Sequence, residues 1–294
     1  MSKNIIVPID YTLISEDVAY VADVWASHLG DGILHFLHVN PPLRHFVNPE
    51  LYESAKQDVS QKALNKLTGF VETLGLNNPV EFHHVIGEPS YEIVQLANQL
   101  HPDLIVMGAH AHTEEDRFFL GSNTDFVVHH CQYPTLVYKG HEESYARVII
   151  IPTDFQANNI PVIQLADKRA QQTGEELCFV HVERSSKFHF LQLEDGSWDY
   201  DRLDESQLQQ EHTEIETRMK EFLNTLNIKS KYQFRILFGN KVYLKILDLQ
   251  QELHAGMIMM ASHSSTFKKL FHGSNAGYLM HHVQCPMYVH KTNS

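Results

Sequence analysis

The sequence predicts an α/β protein made of two doubly wound domains, each built on a five-stranded parallel sheet, and three observations predict it. The chain is written twice: "GSNTDFVVHHCQYPTLVYK" (121–139) and "GSNAGYLMHHVQCPMYVHK" (273–291) share Gly-Ser-Asn, His-His, Gln, Pro, Val and Lys in register. "IIVPID" (5–10) returns as "IIIPTD" (149–154), "LHFLHV" (34–39) as "LCFVHV" (177–182), and "VIGEP" (85–89) as "LFGNK" (237–241). The offsets of 144, 143, 152 and 152 residues place one insertion between the second and third strands of the second copy. Within each copy, apolar β-branched runs alternate with segments of helical spacing, which calls for right-handed crossovers and a parallel sheet covered on both faces. Finally, 294 residues are comfortable for two cores of ordinary size.

The elements follow in order. "NIIVPI" is a nearly unbroken apolar run, as expected of a strand buried on both faces. Ser15 offers an N-cap, Glu16 and Asp17 suit a first turn, and Val18, Val21, Ala22, Trp25 and Leu29 fall at helical spacing before Gly30. "GILHFLHV" is the second strand. A long helix follows, with Leu51, Ala55, Val59, Ala63, Leu67, Phe70 and Leu74 on one stripe and Gly75 closing it. "VEFHHVI", a helix from about Ser90 to Leu100, "DLIVM", a helix after Gly121 and "TLVYK" complete five strands and four helices. The second copy repeats the order with "RVIII", a helix near 160–173, "LCFVHV", a helix near 204–226, "YQFRILF", a helix near 242–254, "MIMM" and "MYVH". The polar stretch "GHEESYA" (140–146) marks the boundary, giving domains over 1–140 and 146–294.

Composition narrows the class. The formal charge is −13, with 23 basic against 36 acidic residues; residues 1–140 hold 7 and 17 of them, which leaves 16 and 19 for the rest. An acidic chain lacks the basic face that releases counterions from nucleic acid. Cys131, Cys178 and Cys285 are odd in number and have no CxxC spacing, which fits a reducing compartment. "MSKNIIVPID" carries one Lys and too short an apolar run for a signal sequence, and no run approaches a membrane span. The expected location is the cytoplasm.

In an open parallel sheet, the ligand site lies beyond the carboxyl ends of the strands, where the winding reverses. That rule selects Pro8, Asp10 and Thr12 after the first strand, Val39 and Asn40 after the second, Gly87 after the third, and Met107 and Gly108 at the end of the fourth. Gly121, Ser122 and Asn123 join them, because the last helix starts there with unpaired N–H groups and a positive dipole end. Such a site suits an anion.

On these residues the chain resembles a tandem universal stress protein, two copies of that domain covering essentially all of it. Nucleotide-binding members of that family carry G-x2-G-x9-G-S/T after strand four, an Asp after strand one and a His-Val or similar pair ending strand two. Gly108, Ala111, Gly121 and Ser122 stand at that spacing, with Asp10 and His38-Val39 in their places. The resemblance implies the HUP, adenine nucleotide α-hydrolase-like, fold, with the two domains related by pseudo-twofold symmetry through their last strands. It also implies ATP or ADP as ligand: Asp10 against ribose, the backbone at Val39 against adenine, and the N–H groups around Gly108, Gly121, Ser122 and Asn123 on the phosphates. Asp10 is the carboxylate placed to help hold Mg²⁺ there, since that ion takes few protein carboxylates.

There are departures. Ala111 stands where the motif has its second Gly; if that position needs positive φ, alanine costs on the order of 1 kcal/mol. Glu114, Glu115 and Asp116, offset only by Arg117, would weaken triphosphate binding. The second copy has Ala261 and Ser264 at both early glycine positions and is one residue shorter, yet keeps Asp154, His181-Val182, Gly273, Ser274 and Asn275 and adds Lys268 and Lys269. The first copy is the favoured nucleotide site, because backbone approach is the harder requirement.

The leading expectation is an ATP- or ADP-binding stress-response regulator that acts through protein partners the sequence does not name, with a homodimer among its assemblies. The alternative is a nucleotide-free interaction scaffold or small-ligand binder with degenerate sites. A slow ATPase has the least support: there is no GxxxxGK[ST] loop, no G-x-S-x-G elbow and no His placed to activate Ser122. No metal is expected, because the pairs His83-His84, His129-His130 and His281-His282 send adjacent side chains to different faces, and HExxH and zinc-type Cys/His spacing are missing. The aromatic segment 183–205, about twice the length of its counterpart 40–50, reads equally as a lid or partner surface and as a self-packed loop.

Overall fold

The computed structural model describes residues 2–30, 32–42, 49–109, 120–140, 145–183, 190–192, 198–200, 205–263 and 275–292. Its contacts divide the chain into two units, Met1–Glu143 together with Ala261–Ser294, and Ser144–Met260.

In the first unit the apolar runs become β1 (Lys3–Pro8), β2 (Gly32–Asn40), β3 (Val80–Ile86), β4 (Leu104–Gly108) and β5 (Thr135–Tyr138). Between them lie α1 (Ser15–Leu29), α2 (Pro49–Glu72), α3 (Pro89–Leu100) and α4 (Ser122–His130). The strands run β5-β4-β1-β2-β3, all parallel. The chain therefore winds outward from β1 through β2 and β3, then returns to place β4 and β5 on the other side of β1. Ile5, Ile6 and Val7 are fully buried, as a strand covered on both faces requires. Ile6, Leu37, Ile93, Ala97, Ile105 and Val127 close the core between the sheet and the helices α3 and α4.

The first unit also takes the end of the second repeat. Helix Asn275–His282 and strand Met287–Thr292 belong to it, and that strand runs antiparallel to β5, with Tyr288 opposite Leu136. This is the edge pairing expected of the two last strands. Two buried lysines at equivalent repeat positions fasten it: Lys139 Nζ donates to Met280 O (2.5 Å) and Val283 O (2.8 Å), and Lys291 Nζ donates to Val128 O (2.6 Å). Each satisfies carbonyls that a helix end leaves without intrahelical donors. Trp25 stacks on Tyr288, ring centroids 5.4 Å apart.

In the second unit the order is β10 (Tyr232–Phe238), β7 (Glu176–Glu183), β6 (Ala146–Pro152) and β11 (Ala255–His263, of which residues 255–260 belong here), all parallel. α5 (Ile160–Thr173), α6 (Glu205–Leu226) and α7 (Val242–Leu253) connect them. Within the long segment 183–205, β8 (Phe190–Gln192) and β9 (Trp198–Tyr200) pair with each other as an antiparallel ladder. The remaining elements, in the first unit, are α8 (Asn275–His282) and β12 (Met287–Thr292).

Three local expectations are corrected. Ser15 is the first residue of α1 and not its cap; the capping position is Ile14, and Ser15 Oγ donates instead to Asp10 Oδ1 (3.2 Å), a carboxylate acceptor already held in the preceding turn. The apolar stripe of α2 is buried only from Ala63 onward, and Leu51 is exposed. A helix of 24 residues spans roughly 36 Å, whereas a seven-residue strand such as β3 spans roughly 23 Å, so the strand cannot cover the helix end to end. Gly75, with φ of 61°, lies beyond the end of α2 at Glu72, in the turn that follows.

Candidate functional site

Where β1 and β4 diverge, a cavity of about 360 Å³ opens at their carboxyl ends. Its wall holds Pro8, Asp10, Val39, Met107, Gly108, Gly121, Ser122 and Asn123, so those residues chosen from the sequence meet around one space. Ala111 lies outside the described residues, as do Glu114, Glu115, Asp116 and Arg117.

The turn after β1 is tightly organised. Asp10 Oδ1 accepts from Thr12 N (3.0 Å), Thr12 Oγ1 (2.7 Å) and Ser15 Oγ (3.2 Å). Tyr11 between them takes a left-handed φ of 61°. His38 Nδ1 donates to Ile9 O (2.8 Å), tying the end of β2 to the same turn. The second oxygen of Asp10 has no hydrogen bond among the described residues, and the side chain is exposed toward the cavity it lines.

Across the space stands the start of α4. Gly121 occupies its capping position in extended conformation (φ −68°, ψ 151°) with no side-chain cap, and Ser122 is the first helical residue. The amides of the first helical turn have no intrahelical acceptors and carry the positive end of the dipole. Thr124 Oγ1 donates to Gly108 O (2.8 Å) and fixes that turn against the end of β4. Gly108 has a packing reason to be glycine: a Cβ there would stand 2.5 Å from Ile14 Cδ1 and 3.3 Å from Val18 Cγ2. Gly87 donates from N to Asn40 O (2.9 Å), tying the end of β3 to the end of β2.

Sequence reasoning missed Ile14, Val18, Leu37 and Ile93, which give the cavity its apolar wall, and Thr124, which sets the helix start. The apolar residues are indistinguishable from core by periodicity. Thr124 was visible only as the third residue past Gly121.

The second repeat rebuilds the same turn within its own unit. Asp154 Oδ1 accepts from Gln156 N (3.2 Å) and Asn159 Nδ2 (2.6 Å), Phe155 has φ of 64°, and His181 Nδ1 donates to Thr153 O (2.8 Å). Asp154 is exposed and Val182 half-buried. Ala261 lies on β11 and Asn275 is the first residue of α8, whereas Ser264, Gly273, Ser274, Lys268 and Lys269 lie outside the described residues.

A family model described as the universal stress protein family matches residues 1–139 and again 146–291. Two universal stress proteins of Methanocaldococcus jannaschii are similar to part of the chain, one 34% identical over 90 residues (31% of this chain, 52% of that one), the other 32% identical over 91 residues (31% and 56%). The chain thus spans about half the length of these relatives in the match. The crystal structure of a universal stress protein from Archaeoglobus fulgidus shares the fold, with a TM-score of 0.69 at 19% identity over 99% of both chains. With two matches that cover nearly all of its residues, the chain belongs to the universal stress protein family and carries that family's domain in tandem.

Proposed function

We propose that the first repeat binds an adenine nucleotide, ATP or ADP, and that the protein acts as a nucleotide-dependent stress-response regulator through protein partners. The cavity between Asp10, Val39, Gly108 and the start of α4 carries this reading. About 360 Å³ falls within the range of small-molecule sites, and its wall is divided as a nucleotide requires. Leu37, Val39, Ile93 and Met107 offer an apolar surface for a base, Asp10 a carboxylate for ribose hydroxyls, and the first amides of α4 an anion-binding end for phosphate. The residues fit Mg²⁺ in one respect: Asp10 keeps an oxygen outside its turn hydrogen bonds and would hold the ion beside the phosphates. Binding and not turnover is the proposed activity, since among the described residues of the cavity none is arranged to activate a nucleophile.

The scaffold reading has one observation in its favour. Asp10 is already held by Thr12 and Ser15, so the turn is complete without a ligand. Calorimetric titration of ATP and ADP into the wild type and Gly121→Asp separates the two. Saturable binding that the variant loses supports the nucleotide site; absence of heat in both, with no adenine nucleotide released on denaturing the purified protein, supports the scaffold. Partners and assembly are then sought by comparing nucleotide-loaded and nucleotide-free protein in size-exclusion chromatography and crosslinking.

A further inference from the structure

His35, Glu81 and His83 form a cluster on one face of the β2–β3 pair, and none of the three lines the cavity. The parallel register sets His35 beside Glu81 and Leu37 beside His83, so alternate residues of two strands converge where adjacent residues of one strand cannot. His35 Nδ1 lies 3.0 Å from His83 Nε2 and 3.3 Å from Glu81 Oε2.

The protons in this cluster can be traced from the helix end beside it. Asn4 Nδ2 donates to Leu100 O (3.3 Å), which orients the amide so that its Oδ1 faces His35 Nε2 (3.2 Å). An amide oxygen only accepts, so His35 carries its proton on Nε2 and turns the bare lone pair of Nδ1 toward His83 and Glu81. His35 is 3% exposed, and it is in this neutral form that an imidazole ligates a metal.

We infer that His35 Nδ1, His83 Nε2 and the Glu81 carboxylate form a binding site for one divalent transition-metal ion, of which Zn²⁺ is the best match. Zinc takes imidazole nitrogens and carboxylate oxygens at ~2.0–2.1 Å, and the edge of such a tetrahedron is roughly 3.3 Å, close to the two separations above. The Asn4 contact is the outer hydrogen bond that orients a ligating imidazole and selects its tautomer. The second repeat provides an internal comparison: at its equivalent positions stand Cys178, Gln233 and Arg235, with Cys178 beside Gln233 and Val180 beside Arg235 in the same register. An Arg in place of a ligating His excludes a cation, so the site belongs to the first repeat alone.

The full chain, stripped with a chelator and dialysed, is titrated with Zn²⁺ alone by calorimetry and with Co²⁺ by visible absorption. The expected result is one tight equivalent of zinc and a tetrahedral cobalt spectrum. His83→Gln weakens zinc binding on the order of 100-fold and Glu81→Gln on the order of 10-fold. His84→Gln, on the opposite face, leaves it unchanged. Circular dichroism checks that each variant is folded, and the half-buried His83 and exposed Glu81 are chosen to spare the core. Failure of the wild type to take up one equivalent overturns the inference, as does equal affinity in His83→Gln or equal loss in His84→Gln, which would mark scattered binding to the chain's many histidines.

Discussion

Asp23 shows what one buried carboxylate does in this chain. It sits in the middle of α1, 5% exposed, and accepts from the backbone N–H groups of Asn77 and Asn78 and from both of their side-chain amides at 2.7–3.1 Å. Burial pushes its carboxyl up, but the hydrogen bonds from Asn78 and Asn77 together outweigh that and hold it below the ordinary range. Asp23→Ala leaves those donors unpaired and is expected to cost about 2–3 kcal/mol in urea unfolding. Because the folded-state pKa is depressed, this stability is present above the unfolded pKa near 4 and drains as the pH falls through the folded value. The wild-type unfolding midpoint should therefore drop more steeply below pH 4 than that of Asp23→Ala. In the second repeat Asp167 likewise accepts from the backbone N–H groups of Lys229 and Ser230. An Asp recurring 144 residues apart on an otherwise apolar helix face was a signal available in the sequence. Asp10 asks for a different substitution. Asp10→Asn keeps an oxygen for the Thr12 turn and removes the charge, so folding should be retained while any Mg²⁺-dependent gain in nucleotide affinity is lost in calorimetry.

At the scale of elements, two junctions are sensitive. Gly108 ends β4 under α1, and Gly108→Ala drives a methyl into Ile14; overpacking of this kind costs about 1–3 kcal/mol, readable as a lowered thermal midpoint. At the other end of α4, His129 is pushed down to about 4 by burial, against the pull of Asp125, and with His130, Lys291 and His281 also opposing its charge. It stays neutral in the folded protein while the unfolded chain protonates near 6.5. Its contribution is therefore intact above pH 6.5 and is lost as the pH falls toward 4. Urea midpoints measured from pH 7 to 4 should decline less in His129→Gln than in the wild type. The helices themselves were legible from spacing, since Val18, Ala22 and Trp25 had one face to bury. Their caps were not, because Ser15 is recruited by an Asp five residues earlier and the capping position of α4 is held by Gly121, which has no side chain to signal it.

For the molecule as a whole, residues 261–294 are part of the first unit, where β12 covers the edge of β5 and Lys139 and Lys291 each bind the helix end of the other repeat. Burial pushes both ammonium groups down to about 8. Deleting residues 261–294 should destabilise the first unit itself, and Lys139→Met should do so by about 1–3 kcal/mol by leaving two carbonyls unmet. Fluorescence of Trp25, stacked on Tyr288, reports both changes. The sequence by itself determined the strand and helix order, the duplication and the edge at which the cavity opens, because apolar periodicity and repeated motifs are properties of neighbours along the chain. It also named most of the cavity's polar wall, since Asp10, Gly121 and their companions follow the ends of recognisable strands. Only tertiary structure decided which unit holds the last helix and strand, how closely Ile14 approaches Gly108, and that His35 meets His83. Those outcomes depend on strand register and on close approach between segments tens of residues apart, where a shift of one residue reverses the face and no local pattern records the choice.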